Sequence, residues 1–288
     1  MTLPPALVFA SLTIREASRR RLLVAILILT LVIVIGSGWG FAKLPDVNGG
    51  GRPLSPVEVK VVASQLLIVV AFLFAGVLAL SSVLVAAPSI SGEVESNLVL
   101  ALLARPVSRA SYVLGKWIGL GALVVAYAVV SGVLELVAVA VATGYVPPQP
   151  VELIAAIAAE GLVLLTLSTA LSTRLPGMTA GIIALVMYFI AWIGGIVEGV
   201  GTGTGNATLS GIGLVVRLIL PTDALWRQAV YAMEPASMIA GMRSTGALAS
   251  AFPFAATDPI PPAMIAWVVI WVVVLLALAT WSFRHREL

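Results

Sequence analysis

Residues 22–42 read LLVAILILTLVIVIGSGWGFA, 21 positions without a charged side chain. At about 1.5 Å of rise per residue, a helix of that length covers about 30 Å, the thickness of bilayer hydrocarbon. Arg19, Arg20 and Arg21 stand immediately before it. A basic flank followed by an apolar run also describes a secretion signal. Here the basic region is long and Trp39-Gly40-Phe41-Ala42 is a poor cleavage site, so a retained span is expected.

Outward from this run the same pattern recurs at residues 61–87, 117–143, 151–173, 178–197 and 259–283, which makes six spans. The composition agrees. Of 288 residues, 60% are hydrophobic and 10% are charged, with a mean hydropathy of +1.12. A soluble domain carries about 25% charged residues, so lipid has to be the solvent for most of this surface. The expected fold class is all-α, a polytopic integral membrane protein with six transmembrane helices forming a single transmembrane domain over residues 1–288. There is no cysteine, which excludes disulfides, thiolate metal sites and a cysteine nucleophile. His285 is the sole histidine, in a polar tail, so no metal site is expected.

The connections differ in character. Residues 6–21 alternate apolar and polar positions at helical spacing and end in the arginines, which predicts an interfacial amphipathic helix. Residues 43–60 form a Gly/Pro-rich loop, and Pro88 is expected to end the second span. Residues 89–116 are the most charged stretch between spans. Residues 198–258 form a long insert that opens on Gly/Thr residues expected to be flexible. It continues with Thr222 as a helix cap and Asp223 in the first turn, leading an interfacial or re-entrant amphipathic helix. Cations close to span ends favour one set of loops: Arg15, Arg19, Arg20, Arg21, Arg105, Arg109, Lys116, Arg174, Arg284 and Arg286. That excess predicts both termini on the cytoplasmic side of the cell membrane.

Chemistry-bearing residues are few. Glu135 and Glu160 fall inside predicted spans, where a carboxylate costs about 2.5–3.5 kcal/mol on insertion scales and therefore faces a cavity, pairs or is protonated. A proton or substrate path and a neutral packed group are both open for them. Small-xxx-small pairs occur at Gly36 and Gly40, Gly115 and Gly119, Gly177 and Gly181, and Gly195 and Gly199; they permit close helix packing. No Gly-x-x-x-x-Gly-Lys-Ser/Thr phosphate loop is present. Leu209-Ser210-Gly211-Ile212-Gly213 has the outline of an ATPase signature, but no phosphate loop precedes it.

The informative connection is Ser91-Gly92-Glu93-Val94-Glu95-Ser96-Asn97, then an apolar run to Leu103-Ala104-Arg105-Pro106-Val107-Ser108-Arg109, then Tyr112-Val113-Leu114-Gly115-Lys116. By its spacing it is a short, charged, amphipathic cytoplasmic helix. Either it docks a soluble partner or it only solvates a turn. The pattern resembles permease subunits of type 2 ATP-binding cassette (ABC) exporters, nearest the branch containing the nitrous-oxide-reductase maturation permease. The specific likeness covers residues 90–119, and the six-span plan, basic N-terminal helix and long insert fit the same family.

The resemblance implies that this segment couples to an ABC ATP-binding subunit, present in two copies, while a second permease copy completes the pathway. Carried over by position, Ser91, Gly92, Glu93 and Glu95 would face the ATPase. Arg105, Pro106 and Arg109 would shape the return to the membrane, and Gly115 and Lys116 would set the entry of the third span. ATP and Mg would be bound by the partner and no cofactor by this chain; no nucleic-acid partner is expected. A proton-coupled secondary transporter using Glu135 and Glu160 is the alternative; a membrane-embedded enzyme and a non-transporting scaffold are weaker rivals.

Overall fold

In the computed structural model, residues 4–18, 21–49, 52–96, 98–99, 108–245 and 251–286 are described. The elements among them are α1 (Pro5–Ser18), α2 (Arg21–Lys43), α3 (Pro56–Glu95), α4 (Arg109–Thr143), α5 (Pro150–Ser172), α6 (Gly177–Thr204), α7 (Ala207–Ile219), α8 (Thr222–Met233), α9 (Ala236–Thr245) and α10 (Pro262–Arg284). The two-residue strands β1 (Asn48–Gly49) and β2 (Arg52–Pro53) pair in the loop after α2. Six helices are long and apolar enough to cross a membrane: α2, α3, α4, α5, α6 and α10. The chain is thus an all-α polytopic membrane protein.

Burial orders the bundle. In α5, 72% of the apolar window is buried, against 17% for α2 and for α10. The Ala, Gly, Ser and Thr positions of α5 let neighbours approach, as at Gly161, where an added Cβ would lie 2.9 Å from Leu78 Cδ2 of α3. α5 is therefore the central post. Around it Leu67, Ala71, Ala75 and Leu78 of α3, Leu120 and Val124 of α4, and Leu153, Ile157 and Leu165 of α5 form the main core. Ile35 of α2, Val141 of α4 and Val273 of α10 face outward, as lipid contact requires.

Three sequence expectations change. First, α3 does not stop at Pro88; it runs 40 residues to Glu95. Pro88 removes one backbone donor. The hydroxyls after it are absorbed within the same helix: Ser89 donates to the Ala86 carbonyl at 2.6 Å and Ser91 to the Ala87 carbonyl at 3.1 Å. Gly177 leaves room beside the ring, since a Cβ there would sit 3.0 Å from Pro88 Cα. Second, α4 begins at Arg109, not near residue 117, because Lys116 finds a buried partner and so can be helical inside the protein.

Third, the Gly/Thr stretch is a helical hairpin, not a flexible loop. α6 continues to Thr204, Gly205 turns the chain at φ +70°, and α7 folds back along α6. Gly201 and Gly213 lie against the backbones of Ser210 and Glu198, so their missing side chains form the packing surface. After α7 the chain bends by 98° into α8, a broken pair of the re-entrant kind. α8 is buried nearly all round, so it packs inside the protein and is not a surface amphipathic helix. Thr222 is its first residue, and its hydroxyl makes no cap.

α1, the end of α3, the start of α4, the turn after α5 and the end of α10 meet at one end of the bundle: Lys116 pairs with Glu16 and Glu93, Arg109 donates to the Arg284 carbonyl, Arg286 to the Thr173 carbonyl, and Arg174 to Ser282. The α6–α7 turn, the α4–α5 connection and α8 mark the opposite end.

Candidate functional site

At the termini end the structure joins three elements through charge. α1 lies in a groove of α4 made by Gly115 and Gly119: a Cβ at Gly119 would be 2.7 Å from the Ala10 carbonyl oxygen, and one at Gly115 would overlap Phe9. The interfacial helix expected at residues 6–21 therefore exists as α1, but it is docked on α4. Arg19 and Arg20 lie outside the described residues.

Next to that groove Lys116 of α4, only 7% exposed in its side chain, pairs with Glu93 of α3 and, at 3.4 Å, with Glu16 of α1. Tyr112 of α4 donates to the other Glu93 oxygen at 2.6 Å. A buried charge is tolerable only with a partner and hydrogen bonds, and here each element supplies one. Tyr112 also stacks on Phe283 of α10 and meets Phe9 of α1 edge-on. Arg109 donates to the carbonyls of Phe283, Arg284 and Arg286, which clamps the end of α10.

Among the expected coupling residues, Ser91 is 1% exposed and Glu93 points inward to Lys116. Gly92 is half-buried, and Glu95 is exposed beside Ser96. Arg105 and Pro106 lie outside the described residues. Gly115 and Lys116 hold α1 as much as they set the entry of α4.

The two intramembrane carboxylates sit apart. Glu135 of α4 accepts from Ser37 of α2 at 2.9 Å and touches a narrow cavity of about 20 Å³ between α3, α4 and α5. Glu160 of α5 is buried beside Tyr188 of α6. Each keeps one buried oxygen without a hydrogen-bond partner. The cavity at Glu135 does not reach Glu160.

Sequence reasoning missed the polar cluster at the opposite end. Asp223, at the start of α8, has no exposed side-chain surface and accepts from Arg227 one turn on at 2.9 Å. Its carboxylate fills the space left by the absent side chain of Gly195, and Arg227 also donates to the Gly195 carbonyl at 2.9 Å. Arg217 of α7 lies 3.0 Å from Glu198 of α6. Gln228 ties the cluster to the rest, donating to Glu152 of α5 at 3.0 Å and accepting from the Ile260 N–H at 2.8 Å. Two cavities, of about 170 and 200 Å³, border this cluster and share Arg217, Arg227 and Asp258. The i, i+4 spacing of Asp223 and Arg227 was a visible signal. Its meaning was hidden because an exposed pair and a buried one have the same spacing.

Near the same end Glu234 caps α8, 1% exposed, and burial pushes its carboxyl up to about 7. Tyr145 reaches across to donate to the Met233 carbonyl, so the end of α8 is tied to the α4–α5 connection.

A comparison with curated proteins gives no match. A family model does: residues 9–288 match the ABC-2 family transporter protein, which takes in the termini-end network and the arginine cluster alike. With six membrane-crossing helices and a match over almost its whole length, the chain belongs to the ABC-2 transporter family and is a permease component of that class.

Proposed function

We propose that this permease is the membrane half of an ATP-driven exporter in the cell membrane, with both termini in the cytoplasm. Two copies pair and each docks one ABC ATP-binding subunit, which binds the ATP and Mg. Within the class, the residue pattern of 90–119 supports a place near the branch containing the nitrous-oxide-reductase maturation permease.

The observation that carries this reading is the construction of the turn at Glu95 and Ser96. It is exposed, charged and ends a single helix of 40 residues, about 60 Å long. One turn earlier Glu93 is locked to α1 and α4 through Lys116 and Tyr112. A push on the turn therefore moves three elements together, and α3 carries the displacement to the opposite end. Switching follows if the ATPase binds two arrangements of this unit with different affinity.

Docking is assigned to Glu95 and Ser96, with Gly92 beneath them, while Ser91, Glu93, Gly115 and Lys116 position the turn. Arg109 holds the end of α10, and Arg105 and Pro106 shape the return. Replacing Glu95 by Arg should reduce co-purification of a co-expressed ABC ATP-binding subunit about tenfold, as loss of an interfacial charge pair does, with the melting temperature unchanged. Full co-purification would remove the docking role.

A proton-coupled secondary carrier is the second reading, favoured by the unpartnered oxygens of Glu135 and Glu160. It expects uptake into vesicles driven by a pH gradient without ATP, abolished by Glu160→Gln.

A further inference from the structure

The arginine cluster between α6, α7, α8 and the start of α10 is a chamber with two unlike walls. One wall is cationic: Arg217 and Arg227 both line the cavity of about 200 Å³, together with Gln228. Among the described residues that line it the acid is Asp258, whose carboxylate is held 2.9 Å from Arg243. The other wall is apolar, built from Ala224, Ile260, Pro261 and Met264.

Arg217 is incompletely used by the protein. Among the described residues it pairs with Glu198, and its Nε is buried without a hydrogen-bond partner. A guanidinium has five N–H donors and is suited to bidentate binding of phosphate or carboxylate. A buried donor left unmatched carries a cost that a ligand oxygen would remove.

The level of the chamber in the bundle adds an independent constraint. α10 begins at Pro262, so Met264 lies in its first turn. Trp267 and Trp271 follow on α10 and donate to the carbonyls of Leu218 and Ile219, the residues just after Arg217. On α6, Glu198 stands 21 residues after Gly177, about 30 Å along the axis and so one hydrocarbon thickness from the termini end. The arginines therefore lie at headgroup depth. On α7 the neighbouring Ile212, Val215 and Ile219 are exposed to lipid.

We infer that this chamber binds an anionic amphiphile from the leaflet opposite the termini. Its phosphate head lies between Arg217 and Arg227, and its apolar part runs along Ile260, Pro261 and Met264. Glu198 competes with the phosphate for Arg217 and is displaced when the phosphate enters. The inference goes beyond ATP coupling and does not depend on it: binding is read without an ATPase, so either can fail alone.

The test uses the full chain purified in detergent. It is offered phosphatidylglycerol, phosphatidylcholine or inorganic phosphate, and bound ligand is counted by native mass spectrometry. Phosphatidylglycerol should be retained about tenfold over phosphatidylcholine, and Arg217→Gln should erase that preference. Glu198→Gln, which frees Arg217 from its competitor, should raise retention. Because the two substitutions break the same ion pair but move binding in opposite directions, a purely structural pair is distinguished. Equal retention of the two lipids, phosphate bound as well as phosphatidylglycerol, or retention lowered by Glu198→Gln would each overturn the inference. If Arg217→Gln does not fold, the lipid comparison and the Glu198→Gln result decide the matter.

Discussion

The two ends of the bundle handle buried charge in opposite ways. At the termini end Lys116, Glu93, Glu16 and Tyr112 satisfy one another, and the helices approach through glycine. At the opposite end Arg217 Nε, Asp223 Oδ1 and Gln149 Oε1 are buried without partners, and the arginines border open volume. A satisfied network holds one arrangement. An unsatisfied one is costly until something enters, so it is suited to exchanging ligands. On the function proposed above, the first property would serve force transmission and the second the cargo.

The comparison breaks most visibly at Lys116. Lys116→Met leaves Glu93 buried without its cation and should cost about 3–5 kcal/mol, read as a lower melting temperature in detergent. Adding Glu93→Gln should recover most of the loss, since the stranded charge is then gone. A single variant as stable as the parent would show that the network is slack. Next, Gly195→Ala sets a methyl group where the Asp223 carboxylate lies. It should cost about 2–3 kcal/mol by overpacking and loosen the α6–α8 contact, seen as faster hydrogen exchange in α8.

A smaller effect is expected at the α1 groove. Gly119→Ala presses on the Ala10 backbone and should cost about 1–2 kcal/mol, with protease cleavage appearing between α1 and α2. If α1 were a free surface helix, the substitution would be silent.

The smallest effect is a pH dependence at Glu234. Its folded pKa is raised to about 7 by burial, so the native state holds the proton more tightly than the unfolded chain. The stabilisation from this group is complete below about pH 4.5 and is lost as pH rises through 7. Relative to Glu234→Gln, the parent should therefore lose melting temperature between these values. Parallel melting curves for the two proteins would remove the assignment.

Much of this was legible in advance, and the reasons are specific. The charge-free run at 22–42 has one solution in lipid, and α2 follows it to within a residue at either end. Pro150 and Gly177 likewise start α5 and α6 within a residue of the expected span edges. Pro88 misled because a proline rule describes an isolated helix, whereas Gly177, which leaves room beside the ring, is a neighbour that only folding supplies. The glycines of 199–213 misled because flexibility and close packing share a composition. The family match bears out the resemblance to type 2 ABC permeases at the level of the ABC-2 family, while the structure leaves Glu95 exposed and turns Glu93 towards Lys116.

Hydropathy alone determined that this chain lives in lipid as six helices, because each apolar run has to bury its backbone polar groups within itself. Which carboxylate meets which cation was decided only in three dimensions. Glu93 and Lys116, or Glu198 and Arg217, lie many residues apart in sequence, and their pairing depends on how helices rotate and approach. That rotation is set by small residues such as Gly115, Gly119 and Gly195, whose effect exists only against a neighbouring backbone or side chain.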